Sequence, residues 1–169
     1  MRHVYRKVLV AADGKEEAVR LAHVARDLCA GRPGMRVTVL HVLPPPAPPS
    51  LSSPLVPAIG AGDDLLLLGE ANARAELEEA KEVLAEAGIA ADVDVAVGAP
   101  GEEICRYARA GGYDLIIMGR RGLGRLQEIL LGSVSEYVLR HTKLPVLIVQ
   151  HPKEAPLQTV SGQSRREPQ

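Results

Sequence analysis

The sequence predicts an α/β domain whose strands form a mostly parallel sheet. Five short apolar runs alternate with four segments in which apolar residues recur every three or four positions. Turn residues bound the runs, and each helical segment is long enough to be the crossover that parallel strands require. The 169 residues, 46% of them hydrophobic, suit one folded domain rather than two domains or a disordered chain.

The five strands are short and rich in apolar and β-branched residues, which is typical of strands buried in a parallel sheet. They are predicted at residues 8–12, 37–42, 91–97, 114–118 and 145–149. In the third strand, Asp92 and Asp94 alternate with valines, so this strand is expected at a half-exposed edge of the sheet.

The four helices follow from apolar spacing and from residues that start or stop a helix. The first is predicted from residue 16 to about residue 31, and the second begins at a cap, Asp63 or Asp64, and ends at Gly88. Pro100 opens the third helix, which ends at residues 111–112, and the fourth covers about residues 133–141.

The predicted domain covers residues 1–150 and contains one long proline-rich loop. Seven of the 13 prolines lie between residues 44 and 57, so residues 44–62 are predicted to form a loop after the second strand. Because this loop follows a strand on the side of the sheet where ligands bind, residues 44–57 are expected to form a flexible flap. Residues 151–169 are polar and lack an apolar period, which predicts a disordered tail.

Composition and charge exclude several classes of partner. The formal net charge is -1 and neither Trp nor Phe is present, so neither nucleic acid nor a membrane surface is an expected partner. No apolar run is long enough for a membrane span. Cys29 and Cys105 stand apart from any Cys or His cluster, which predicts two buried thiols in a reducing compartment, the cytoplasm.

The glycine-rich stretch at residues 118–133 is the strongest functional signal. Its glycines let a ligand approach the backbone, and Gly132-Ser133 stands at the start of a helix, where free N–H groups favour a phosphate. Three arginines add positive charge nearby: Arg120, Arg121 and Arg125. The alternative is that Ser133 and Glu136 form a capping box while the glycines serve only turns. On the chemistry of these residues, both interpretations stay open.

Other phosphate-binding and catalytic motifs do not match. Arg125-Leu126 follow the G-x-x-x-x-G spacing where a P-loop needs Lys and then Ser or Thr. The turn after the first strand is acidic and lacks the glycine cradle of a dinucleotide fold. No nucleophilic triad or metal-ligand spacing is found, so no catalytic residue is predicted and the metal ligands stay unassigned. Asp13 is the visible candidate carboxylate near the expected phosphates.

The glycine spacing resembles a known family pattern. Gly119, two residues, Gly122, nine residues and then Gly132-Ser133 is similar to the nucleotide-binding pattern of the universal stress protein family. Further similarities are the segments Ala12-Asp13-Gly14, Leu40-His41-Val42, Gly98-Ala99-Pro100 and Leu144-Pro145-Val146. The resemblance covers about residues 5–150. It implies an open, twisted, Rossmann-like sheet of five parallel strands in the order 3-2-1-4-5 with helices on both faces, a homodimer, and ATP binding.

The resemblance also implies which residues bind the nucleotide. Asp13 and Val42 would line the adenine pocket with Met118 at its edge, while the glycines and the start of the fourth helix would lie along the ribose and the phosphates. The expected binding residues are Ala11, Ala12, Asp13, Val42, Met118, Gly119, Arg121, Gly122, Gly132, Ser133, Val134 and Ser135. The expected ligand is ATP, or else AMP or ADP, with Mg or Mn accompanying the phosphates. Asp13 as a helix cap and Val42 as ordinary strand core remain alternatives, and Lys15 stands where the family often has Ser.

Together these observations indicate a cytoplasmic, ATP-binding stress-response regulator that acts as a nucleotide-dependent homodimeric switch. The alternatives are an ATP-dependent hydrolase with slow turnover and a dimeric interaction module with an empty pocket. The dimer is expected to form through the fifth strand, which the implied order places at a sheet edge and in which no charge discourages pairing. That part of the strand consists of Val146, Leu147, Ile148 and Val149.

Overall fold

The computed structural model describes residues 5–45, 61–120 and 132–150. Its strands are β1 (Lys7–Ala11), β2 (Arg36–Leu43), β3 (Ala90–Val97), β4 (Leu115–Gly119) and β5 (Val146–Val149). Its helices are α1 (Lys15–Cys29), α2 (Ala61–Glu86), α3 (Pro100–Ala110) and α4 (Ser133–His141). Strands and helices alternate along the chain as the apolar spacing predicts.

The five strands form one sheet in the order β3-β2-β1-β4-β5, and every neighbouring pair is parallel. The predicted fold class and strand order are therefore confirmed. β1 lies at the centre, where Leu9 stands opposite Thr38 of β2 on one side and Ile116 of β4 on the other. β3 and β5 are the two edges, so the prediction that β3 is an edge strand is correct.

Each face of the sheet is covered by its own pair of helices. Val8 and Val10 of β1 belong to the core that also contains Leu21 of α1 and Leu77 of α2. On the opposite face, Leu9 of β1 belongs to a second core. That core also contains residues of α3 and α4, among them Ile104 and Val138. Because side chains alternate across a strand, β1 must be apolar on both faces from Val8 to Ala11, which is why it appears in the sequence as an apolar run.

Two predicted helix starts differ from the structure. The residue that caps α1 is Gly14, with φ of 93°, and no side chain supplies a cap hydrogen bond. The alternative that Asp13 caps this helix is therefore wrong. α2 begins at Ala61, so neither Asp63 nor Asp64 is its cap and residues 61–62 are helical rather than part of the proline-rich loop. The two aspartates instead lie in the first turn of the helix, where the helix dipole favours negative side chains.

Some predictions fall on parts of the chain that lie outside the described residues. These are most of the proline-rich loop, at residues 46–60, and the polar tail at residues 151–169. Across the described residues, the longest and most apolar helices still fall short of what a bilayer crossing needs.

Candidate functional site

An open cleft with an empty volume of about 520 Å³ lies at the carboxyl ends of β1, β2 and β4. The cleft is at the switch point of the sheet, because α1 after β1 covers one face and α4 after β4 covers the other. Its lining residues are Ala11, Ala12, Asp13, Glu17, Leu40, His41, Val42, Pro100, Ile104, Met118, Gly119, Val134 and Ser135.

One part of the cleft is apolar. Val42 of β2, Ile104 of α3 and Met118 of β4 all line it, and all three side chains are buried. Pro100, the first residue of α3, contributes another apolar surface. An apolar slot between a sheet and a helix suits a flat ring, which loses little conformational entropy on binding.

The start of α4 forms the polar part. Gly132 caps this helix in an extended conformation, with φ of -60° and ψ of 150°. The first hydrogen bond of the helix runs from the Glu136 N–H to the Gly132 carbonyl, at 2.9 Å. The N–H groups of Ser133, Val134 and Ser135 precede it and have no acceptor within the helix, so together with the helix dipole they favour an anion.

Ser135 fixes this helix start to the end of β4. Its hydroxyl contacts the Gly132 carbonyl at 2.8 Å and the Arg120 carbonyl at 3.2 Å, and the residue is 1% exposed. The Gly132 N–H also donates to the Arg120 carbonyl, at 2.9 Å. The capping box considered for Ser133 and Glu136 is not formed, because no side chain caps α4 and Glu136 pairs with Arg140 instead. The buried hydroxyl of Ser135 therefore holds the helix start in place. The exposed Ser133 does not cap the helix.

The first turn of α1 brings the carboxylate of Glu17 into the cleft. The Asp13 N–H donates a 2.8 Å hydrogen bond to Glu17 Oε2, and Arg20 donates a 3.1 Å bond to Glu17 Oε1. The same Oε1 atom lies against Gly119, where an added Cβ would overlap it. Gly119 is therefore needed to make room for the Glu17 carboxylate, in addition to the ligand contact that the sequence suggests.

His41 lines the cleft next to the turn between β1 and α1. Its Nδ1 lies 2.9 Å from the Ala12 carbonyl oxygen, which can only accept, so Nδ1 carries a proton and donates. In the neutral ring, Nε2 is then the nitrogen that can accept a hydrogen bond. This contact holds the end of β1 against β2 beside Asp13.

Lys15 contacts α2 and is not among the cleft-lining residues. Its Nζ forms a 2.7 Å ion pair with Glu79, whose hydrogen bond and negative charge raise the pKa of Lys15. The role of Lys15 that the sequence leaves open is therefore, in this structure, a link between two helices on the same face of the sheet.

Most of the residues expected to bind a nucleotide lie around this one cleft. Eight of them line it: Ala11, Ala12, Asp13, Val42, Met118, Gly119, Val134 and Ser135. Gly132 and Ser133 adjoin it as the cap and first residue of α4. Arg121 and Gly122 lie outside the described residues. In the described ranges, no group of three or more His, Cys, Asp or Glu side chains is arranged to hold a metal ion.

Five lining residues were not expected from the sequence: Glu17, Leu40, His41, Pro100 and Ile104. Leu40 and His41 directly precede Val42, so the end of β2 offered a signal for them. Glu17 is four residues after Asp13, one helical turn, which also brings their atoms together. Pro100 and Ile104 enter the cleft only because α3 packs over β2, and no local pattern shows that.

The comparison of sequences identifies the family. The model described as "Universal stress protein family" matches residues 4–150. Universal stress protein MJ0531 of Methanocaldococcus jannaschii is 30% identical over 154 residues, which are 90% of this chain and 86% of that protein. Universal stress protein Sll1388 of Synechocystis sp. is 45% identical over 82 residues, and this match spans 53% of that relative's length.

The comparison of structures supports the same family. The structure of the hypothetical protein MJ0577 has a TM-score of 0.73 and 30% identity, over 88% of this chain and 97% of that one. A universal stress protein in complex with cAMP has a TM-score of 0.62 and 26% identity, over 86% of this chain and 97% of that one. The resemblance noted in the sequence is confirmed, and this chain belongs to the universal stress protein family.

Proposed function

We propose that this chain binds an adenine nucleotide, ATP in the first place and AMP or ADP otherwise, in the cleft at the ends of β1, β2 and β4. The observation that carries the proposal is that one cleft joins an apolar slot to the N–H groups at the start of α4. A nucleotide has the same two parts, a flat base and an anionic phosphate chain.

The base lies in the apolar slot, against Val42, Ile104 and Met118. Backbone groups and the side chain of Asp13, at the end of β1, then lie at the rim of the slot where a base presents polar atoms. His41 Nε2 adds an acceptor for an amino or hydroxyl group. The universal stress protein solved in complex with cAMP, a ligand that carries adenine, supports this choice of base.

The phosphates lie at the start of α4. The N–H groups of Ser133, Val134 and Ser135 point out of the first helical turn, and Gly132 has no side chain to occupy the approach. The hydroxyl of Ser135 faces backbone carbonyls, so its N–H group is the part that remains for a phosphate. Mg or Mn accompanies the phosphates and neutralises part of their charge.

The protein acts as a nucleotide-dependent homodimeric regulator in the cytoplasm, and we expect slow ATP hydrolysis or none. β5 is an edge strand, and its Leu147 is 37% exposed. An apolar edge of this kind supports pairing with a second copy. Cys29 and Cys105 are buried thiols without a disulfide, which suits a reducing compartment.

Calorimetric titration of the full chain with ATP and Mg tests the proposal, with GTP as the comparison nucleotide. A ligand at about 100 times its dissociation constant stabilises the native state by roughly 2.7 kcal/mol, so ATP must also raise the melting temperature. An unchanged melting temperature together with no heat of binding for ATP, ADP or AMP would overturn it. Release of phosphate over multiple turnovers would instead show that the protein is an ATP hydrolase.

A further inference from the structure

The carboxylate of Glu17 occupies a position in the cleft that other α/β folds reserve for a phosphate. In dinucleotide-binding folds, the pyrophosphate lies on the turn between the first strand and the first helix, where backbone N–H groups face it. Here the Asp13 N–H, in that turn just before the capping residue Gly14, donates to Glu17 Oε2 at 2.8 Å. A negative charge of the protein therefore already occupies the turn between β1 and α1.

Further contacts hold this carboxylate in place. Besides the Asp13 N–H, Arg20 donates to Oε1 at 3.1 Å, and the missing side chain of Gly119 leaves the space that Oε1 fills. The Glu17 side chain is 13% exposed and that of Arg20 is 22% exposed, so water screens this charge less than an open surface charge.

Glu17 lines the same cleft as Val134 and Ser135 at the start of α4. The cleft thus contains a helix start that favours an anion, at α4, and a turn that already holds a carboxylate, between β1 and α1. A phosphate chain that extends from α4 toward the β1–α1 turn approaches a like charge, and each added phosphate brings more negative charge to it.

We propose that Glu17 is a specificity-determining residue of the nucleotide site. Its charge directs phosphates to α4 and penalises every additional phosphate that no cation accompanies. This inference rests on the proposed function, because it concerns the ligand of the same cleft. It follows that ATP binding depends on Mg or Mn more strongly than AMP binding does.

The test compares the wild type with Glu17→Gln and with the control Glu16→Gln. Glu16 is in the same helical turn, is exposed and does not line the cleft, so both changes remove one negative charge from the start of α1. The dissociation constants of AMP and ATP are measured by calorimetry on the full chain in EDTA at constant ionic strength. Glu17→Gln should strengthen metal-free ATP binding about five- to tenfold, with less than about a twofold change for AMP. Glu16→Gln should change neither.

Equal effects of Glu17→Gln on ATP and AMP, or equal effects of the two variants, would overturn the inference while leaving the proposed function intact. A wild type that binds neither nucleotide would overturn both. If Glu17→Gln does not fold, Arg20→Met provides the second test, because it removes the cation that partly neutralises Glu17. Metal-free ATP binding must then weaken relative to AMP binding, and an unchanged ratio refutes the role of Glu17.

Discussion

The Tyr107 hydroxyl donates a 2.7 Å hydrogen bond to the Asp94 carboxylate, which joins α3 to the edge strand β3. Arg74 of α2 donates to the same carboxylate, also at 2.7 Å, and reaches it around the open edge of the sheet. Burial by itself would raise the pKa of Asp94, but the hydrogen bonds from Tyr107, Arg74 and the Val95 N–H outweigh it and lower that pKa. Burial and the bond to Asp94 together raise the pKa of Tyr107.

Asp94 should make the stability of the protein depend on pH in acid. Its pKa in the folded protein is below the ordinary value of 3.8, so the unfolded chain binds the proton more readily. The stabilisation is complete above that ordinary value and is lost as the pH falls through the lowered one. Urea unfolding at pH 7 and pH 3 should therefore show a larger destabilisation by Asp94→Asn at pH 7. Asp92→Asn on the same strand is the control, and an Asp94→Asn effect that is equal at both pH values would contradict the expectation.

Ser135→Ala should destabilise the protein more than Ser133→Ala. Ser135 loses a buried hydroxyl that contacts the Gly132 and Arg120 carbonyls, which costs about 1–2 kcal/mol of unfolding free energy. Ser133 is exposed and supplies no cap, so its change should lie within about 0.5 kcal/mol of the wild type. Chemical denaturation of both variants decides the matter, and an equal loss would mean that the hydroxyl of Ser133 also holds the helix start.

Gly101→Ala should destabilise the packing of α3 against α4. A Cβ at Gly101 would lie 2.6 Å from the Tyr137 ring, so the two helices must move apart, at a cost of about 1–3 kcal/mol. Gly69→Ala in α2 is the matched control, because its Cβ would meet only Leu43, at 4.0 Å. That change should stabilise the helix by about 0.5–1 kcal/mol. If the melting temperatures of both variants shift in the same direction, this account of Gly101 is contradicted.

Gly132→Val should weaken ATP binding at least tenfold while the fold remains. The backbone of Gly132 is extended, with φ of -60°, a conformation that valine also adopts, so the substitution causes no backbone strain. Its branched side chain would instead occupy the space in front of the α4 N–H groups. Calorimetry measures the affinity and circular dichroism the fold. If the folded variant binds ATP with wild-type affinity, the phosphates do not bind at the start of α4.

Ile148→Pro should weaken a dimer that forms through β5. The Pro145 and Val149 carbonyls accept hydrogen bonds from Ile116 of β4 and from Arg120 directly after it. Because backbone groups alternate along a strand, those of Ile148 face the open edge. Proline removes that outward N–H group. Ile148→Ala keeps the N–H group and serves as the control for the lost side chain. Sedimentation should show a weaker dimer for the proline variant only, and a wild type that is monomeric at micromolar concentration would eliminate the interface.

The sequence by itself determined the strands, the helices and many of the residues that line the cleft. β1 and β4 are apolar at successive positions because both faces of the sheet are covered, and the glycine and proline residues at 31, 88, 100 and 111–112 mark where helices start or stop. The start of α4 at Gly132-Ser133 could likewise be predicted, because a helix start is a local property of the chain, but the cap is Gly132 rather than Ser133. Apolar runs, helix ends and helix starts depend on residues that are a few positions apart, so the sequence alone shows them.

Only the tertiary structure decided the contacts that complete the cleft. Pro100 and Ile104 line it because α3 packs over strands that lie far away in the chain, and Lys15 pairs with Glu79 because α1 packs on α2. Glu17 meets Gly119 because β1 and β4 are neighbours in the sheet, although about a hundred residues separate them along the chain. Each of these contacts depends on the relative placement of whole elements, which follows from burying the apolar faces of the helices on the sheet, and no local spacing in the sequence records it.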